Sequence, residues 1–237
     1  MALILNIETA TTMCSVSLAK DGILLALKEQ NGSYAHSENL TLFIEDICAR
    51  SNTKLIDIDA VSVSKGPGSY TGLRIGVSTA KGLCYSLNKP LIAINTLRQM
   101  ALSISKNFKS DIPFFNTLNV PILFCPMLDA RRMEVYCAIY DELNNEVIPT
   151  AAEIIDEHSF AEILKNNTVV FFGDGASKCK NSLATNKNAL FINDVFPSAK
   201  NMITLSEKAF INKQFEDVAY FEPFYLKDFM IIKKVQK

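Results

Sequence analysis

The chain has 237 residues, 49% hydrophobic and 21% charged, a balance that supports a packed core and excludes a disordered or fibrous protein. Its 24 Lys+Arg and 25 Asp+Glu leave a formal charge of -1, which excludes a chain that grips nucleic acid unaided, since phosphate binding takes a cationic surface.

In chain order, residues 2–7 are a short apolar run that reads as a buried strand. No basic stretch precedes it, and Asn6 and Glu8 interrupt it, so it is not a secretion signal. No segment approaches the roughly 20 apolar residues of a membrane span, and a cytoplasmic protein is expected. Residues 13–18 alternate, with Cys14, Val16 and Leu18 on one face. Lys20-Asp21-Gly22 is a hairpin turn, and 23–28 a third strand. The period then changes: Leu40, Phe43, Ile44, Ile47 and Cys48 predict a helix over 36–50. A strand at 60–64 runs into a glycine-rich loop. Leu73, Val77, Ala80, Cys84 and Leu87 predict a helix over 72–87. Pro90 opens a strand at 91–94, and Thr96 is the expected N-cap of a helix over 97–106.

After a polar stretch at 107–119, strands are predicted at 122–128 and 134–140, with a turn at Asn144-Asn145 and a short strand at 146–148. Ser159-Phe160-Ala161-Glu162 has the spacing of a capping box opening a helix. A strand at 169–172 is broken by Gly173-Asp174-Gly175. A weak helix follows at 177–184, then a strand at 190–192, then a helix from Pro197-Ser198 through Ile211.

Each half thus reads as three strands, helix, strand, helix, strand, helix. Three meandering strands followed by crossovers give a mixed sheet with helices on its faces. The fold class is α/β: a two-lobed ribonuclease-H-like duplication, the arrangement of the actin–Hsp70–sugar-kinase superfamily, with the second lobe reduced. The lobes are expected at 1–106 and 107–237, with the final helix and tail packing back on the first. The repeat rests on element order, because the halves share no strong residue identity.

The loop Lys65-Gly66-Pro67-Gly68-Ser69-Tyr70-Thr71-Gly72-Leu73-Arg74 joins a strand to a helix. It matches neither the P-loop nor the dinucleotide fingerprint. An anion cradle and a tightly packed structural loop both remain open. In the helix after it, Gly72, Gly76, Ala80 and Cys84 form a small-residue stripe. Such a stripe admits close approach of another backbone, either a partner's or one of the chain's own.

The string Gly66-Pro67-Gly68-Ser69-Tyr70-Thr71-Gly72-Leu73-Arg74-Ile75-Gly76 resembles the signature of the TsaB (YeaZ) family. The resemblance covers nearly the whole chain. It extends to the opening stretch from Leu3 to Thr11, to Cys14-Ser15-Val16-Ser17-Leu18, and to the helix start His36-Ser37-Glu38-Asn39-Leu40. It also includes Leu128-Asp129-Ala130-Arg131-Arg132-Met133-Glu134-Val135-Tyr136 and Glu222-Pro223-Phe224-Tyr225-Leu226-Lys227. Glu8 stands where the family usually has Asp, and Tyr70 where it usually has Phe.

The resemblance implies a non-catalytic subunit that serves a TsaD-like threonylcarbamoyl transferase, together with a TsaE-like ATPase, in making tRNA threonylcarbamoyladenosine. It implies docking through the first two long helices of the N-terminal lobe, and homodimers through the same surface when the partner is absent. Carried onto this sequence, the partner interface comprises His36, Leu40, Phe43, Ile44 and Ile47 on one helix. On the other it comprises Gly72, Leu73, Gly76, Val77, Ala80 and Cys84. No cofactor is expected on the chain alone; ATP or ADP is expected only at a complex interface, and tRNA only through the partner.

Nucleotide sites of the superfamily use an acid just after the first strand of each half. Glu8 and Asp129 stand there, but their turns contain no glycine, so with Arg131 they mark a vestigial cleft. Arg131 and Arg132 are read either as phosphate ligands or as ion-pair partners of Glu134 and nearby acids. These acids motivate a second reading, a free-standing ATP-dependent small-molecule kinase. A metallopeptidase is disfavoured, because His36 and His158 lie far apart in sequence, and His36 is expected in a solvent- or partner-facing position. The six cysteines are spread among apolar neighbours without metal spacing and read as buried thiols. At the end of the chain, Lys227, Lys233, Lys234 and Lys237 mix with Phe224, Tyr225 and Phe229, a solvated tail or a contact to a tRNA backbone.

Overall fold

The computed structural model describes residues 2–32, 36–106 and 120–227. The expected linker at 107–119 and the tail residues Phe229, Lys233, Lys234 and Lys237 lie outside these ranges.

Strands β1 (Leu3–Glu8), β2 (Met13–Lys20), β3 (Ile23–Asn31), β4 (Ala60–Gly66) and β5 (Leu91–Asn95) form a sheet in the order β3-β2-β1-β4-β5. The meander β1-β2-β3 is antiparallel, and β4 and β5 add in parallel to β1. Strands β6 (Ile122–Asp129), β7 (Glu134–Tyr140), β8 (Glu146–Ile154), β9 (Thr168–Phe172) and β10 (Ala189–Ile192) repeat this arrangement. Their order is β10-β9-β6-β7-β8, with the same antiparallel meander and parallel additions. This topology, made twice, is the ribonuclease-H-like duplication. β8 runs six residues beyond its predicted end, because its pairing with β7 continues to Glu134↔Ile154.

The central strands are apolar on both faces because each sheet is covered on both. Helices α1 (His36–Arg50) and α2 (Tyr70–Leu87) cover one face of the first sheet, closing over Leu5, Ile7, Val16, Val61 and Val63. The short α4 (Ala161–Leu164) and α5 (Ala176–Leu183) cover the outer face of the second, over Cys125, Met127 and Phe171. The remaining faces are covered by exchange. Helix α3 (Thr96–Ser105), from the first half, packs Leu97, Met100 and Ala101 on Phe124, Val170 and Phe172 of the second sheet. Helix α6 (Ala199–Ile211), from the second half, packs Met202 and Ala209 on Ile4, Ala60, Ile92 and Ile94 of the first. The two exchanged helices lie against each other, and Lys106 Nζ donates to Thr204 Oγ1 at 2.7 Å.

Two caps differ from the sequence reading. Asn95, not Thr96, caps α3, its side chain accepting from Arg98 N–H at 3.0 Å; the Asn side chain reaches the N3 amide while Thr96 is already helical. The capping box at Ser159 does not form. Ser159 Oγ instead accepts from Asp156 N–H at 2.9 Å, and Phe160, in a left-handed conformation, precedes α4. Ser198 caps α6.

Candidate interlobe cleft and docking face

The turn after β1 and the loop after β4 are locked together. Glu8 is fully buried. Its Oε1 accepts from Ala10 N–H at 2.5 Å and from Ser64 Oγ at 2.8 Å, and its Oε2 accepts from Gln99 Nε2 on α3. Burial outweighs these donors and pushes its pKa up to about 7. Thr9 Oγ1 donates to the Gly72 carbonyl at 2.8 Å, and Ser69 N–H donates to the Ala10 carbonyl at 2.6 Å. Ser69 then caps α2, accepting from Gly72 N–H at 3.3 Å. A Cβ at Gly72 would collide with the Thr9 carbonyl, one at Gly76 with the Thr9 hydroxyl, and one at Gly68 with Ala10. The signature loop is therefore a clasp on the chain's own first turn. Pro67 is buried in it, Thr71 faces solvent, and Arg74 lies over the Tyr70 ring, 5.4 Å from its centroid.

The second lobe holds the counterpart. Gly66 closes β4 and Gly173 follows β9 directly, and their φ values are close, +107° and +104°, in a region that favours glycine. Gly173 sits against the Met127 carbonyl and the Met100 methyl, and Gly175 against Leu128, beneath the Asp129 turn. A residue-level echo between the halves therefore exists at the clasps, where backbone approach selects glycine; the short loops gave no identity to read. Asp129 N–H donates to Asp174 Oδ1 at 3.0 Å, and Lys178 pairs with Asp129 while donating to the Glu134 carbonyl at 2.7 Å. Partial desolvation of its carboxyl raises the Asp174 pKa, although the residue as a whole is exposed. Glu134 pairs with Lys227 rather than with either arginine. Arg131 and Arg132 are exposed, both in left-handed conformations.

The two acids of the expected cleft thus have different surroundings: Glu8 is sealed, Asp129 open but tied to Lys178. Ser64, Gln99 and Lys178, which complete these clusters, have no site role in the sequence reading, and Asp174 figures there only in the glycine-flanked break after the strand at 169–172. Their signal was polar side chains at inward positions: Ser64 in an apolar strand, and Gln99 on the side of α3 that also carries Met100.

The expected partner interface needs correction. His36, Leu40, Phe43, Ile44 and Ile47 on α1, and Gly72, Leu73, Gly76, Val77, Ala80 and Cys84 on α2, are all buried within this chain. The stripe faces the Thr9 turn, so the close approach it permits is internal. His36 is not solvent-facing: its Nε2 lies 2.8 Å from the Thr11 carbonyl, and the ring is 6% exposed. His158 sits in an exposed turn of the other lobe. The same two helices present other residues outward: Glu38, Leu42 and Glu45 on α1, and Arg74, Ser78 and Tyr85 on α2. Leu42 is 57% and Tyr85 86% exposed. All six cysteines are buried free thiols.

Two lobes of one topology, each with an acid turn over a glycine clasp, define the class as a ribonuclease-H-like duplication. A family model described as "TsaD: tRNA N6-adenosine threonylcarbamoyltransferase" matches residues 30–232. The "tRNA threonylcarbamoyladenosine biosynthesis protein TsaB" of Escherichia coli is 30% identical over 240 residues, covering 98% of this chain and 97% of that one. The protein of the same name from Haemophilus influenzae is 27% identical, over 98% and 96%. The solved structure "YeaZ from Pseudomonas aeruginosa" superposes with a TM-score of 0.78 at 21% identity, over 95% of this chain and all of that one, and shows the same fold. The chain belongs to the TsaB family, within the wider group that the TsaD model describes.

Proposed function

We propose that this chain is a non-catalytic docking subunit in tRNA threonylcarbamoyladenosine synthesis, paired as a heterodimer with a TsaD-like transferase. The pathway follows from the family. The absence of a catalytic role in this chain rests on one observation: both carboxylate oxygens of Glu8 are occupied by the chain's own donors in a fully buried site. An acid that orients a metal or water must present a free oxygen to it. The same observation weighs against the kinase reading, and nothing in the geometry favours it.

The docking face is the outward side of α1 and α2, with Tyr85 and Leu42 as exposed anchors of the kind that dominate interfaces. In isolation this face pairs two copies. A TsaE-like ATPase completes the set in the cytoplasm; ATP or ADP binds where subunits meet, and tRNA is held through the partner.

Co-elution with the cognate TsaD-like protein tests the face. Tyr85→Arg combined with Ser78→Arg leaves the far-ultraviolet dichroism unchanged and abolishes the heterodimer peak. An unchanged heterodimer peak with both substitutions would place docking elsewhere. Gly76→Arg is unsuitable for this purpose, because its side chain would enter the Thr9 clasp.

A further inference from the structure

The segment after α6 has no regular secondary structure, yet its contacts follow a continuous course. Glu216 N–H donates to the Leu91 carbonyl of β5 at 2.9 Å. Val218 and Phe221 pack on the core beneath α1 and α2. Lys81 Nζ of α2 donates to the carbonyls of Ala219, at 3.1 Å, and Phe221, at 2.9 Å. Phe224 N–H then donates to the Lys65 carbonyl at 2.7 Å, and its own carbonyl lies 2.9 Å from where a Cβ on Gly66 would be. The Tyr225 ring packs on Tyr70 at 4.8 Å between centroids. Three residues after Phe224, Lys227 pairs with Glu134, the first residue of β7 in the other lobe. Three residues span at most about 10 Å, so the chain passes directly from the first lobe's clasp to the second lobe's acid turn.

We infer that residues 216–227 form an interlobe latch, which fixes the two lobes at one angle from outside the cleft. The latch has two points of purchase. On the first lobe, backbone hydrogen bonds and the Tyr70–Tyr225 contact hold it to the signature loop. On the second, it ends on one ion pair. Glu134 is 19% exposed and Lys227 44%, so the pair is partly shielded from the screening that makes surface pairs weak. Lys178 anchors the same turn from behind through the Glu134 carbonyl. The positive φ at Gly66 and the close approach of the Phe224 carbonyl explain why the loop needs glycine there beyond its fit to Leu73. This inference concerns the chain alone and does not depend on the docking partner.

A charge-swap cycle on the full chain tests it by hydrogen exchange: Lys227→Glu, Glu134→Lys and the double swap. Each single variant raises amide exchange several-fold in both the 66–74 loop and the 130–134 turn, and the double swap restores it. Tyr225→Ala, which keeps the ion pair, raises exchange in the same two regions. If the singles disturb only residues beside the substitution, or if Tyr225→Ala leaves the 130–134 turn unchanged, the segment is a passive tail and the latch is refuted. Should Glu134→Lys impair folding, Lys227→Glu and Tyr225→Ala decide by the same criterion.

Discussion

At the scale of single residues, Glu8 carries the argument. A carboxyl whose pKa rises from 4.5 in the unfolded chain to about 7 in the fold binds more protons when folded. Its contribution to stability is fully present below pH 4.5 and is lost as the pH rises toward 7, a change of about 3 kcal/mol in total. Urea unfolding at pH 5 and pH 8 measures it: the parent weakens across this interval, and Glu8→Gln flattens the dependence. The amide oxygen keeps an acceptor for Ala10 and Ser64, and its NH2 donates to Gln99 Oε1, which has no partner among the described residues, once the Gln99 amide turns over. A parent whose stability rises over that interval would mean that Glu8 is ionised in the fold. The glycines of α2 give a matched pair of predictions. Gly72→Ala costs about 1–3 kcal/mol, because its Cβ meets the Thr9 carbonyl. Gly82→Ala meets nothing within 4 Å and gains about 0.5–1 kcal/mol from helix propensity. Thermal denaturation of the two variants separates them in opposite directions.

At the scale of elements, hydrophobic periodicity made the fold legible. The inward faces of α1 and α2 are the residues whose spacing predicted those helices, and the strand runs are the strands. The same periodicity misled the reading of the interface. A stripe buried against the chain's own turn and one buried against a partner have the same sequence pattern, and only the position of Thr9 beside Gly72 and Gly76 decides between them. The proposed docking face is the complementary set, exposed Leu42 and Tyr85 among polar residues, which no apolar period marks. The clusters at Glu8 and Asp129 were half legible. The acids stood at the ends of β1 and β6, but their partners Gln99 and Lys178 come from helices distant in the chain; the inward position of Gln99 marks it as a polar core residue without showing which acid it meets. The exchange of α3 and α6 was legible only in part, because each helix has the pattern of a core helix without saying whose core.

At the scale of the whole molecule, that exchange sets how the chain folds. A fragment of residues 1–106 keeps α1 and α2 but loses α6, leaving Ile4, Ala60, Ile92 and Ile94 uncovered while α3 exposes Leu97 and Met100. Such a fragment shows poor amide dispersion and no cooperative unfolding, and mixing it with residues 107–237 restores both. A cooperatively folded fragment alone would make the lobes independent domains. The lobes are instead bound by exchanged helices and by the segment that crosses from Phe224 to Lys227, a build suited to presenting one fixed face.

On the proposed function, the chain contributes a docking face and no catalytic group. The most direct test is tRNA threonylcarbamoyladenosine formation by the reconstituted complex carrying either Glu8→Gln or the Tyr85→Arg, Ser78→Arg pair. Glu8→Gln is expected to support modification at the parent rate, while the paired substitution abolishes it together with the heterodimer. Loss of modification by Glu8→Gln in a complex that still assembles would contradict it.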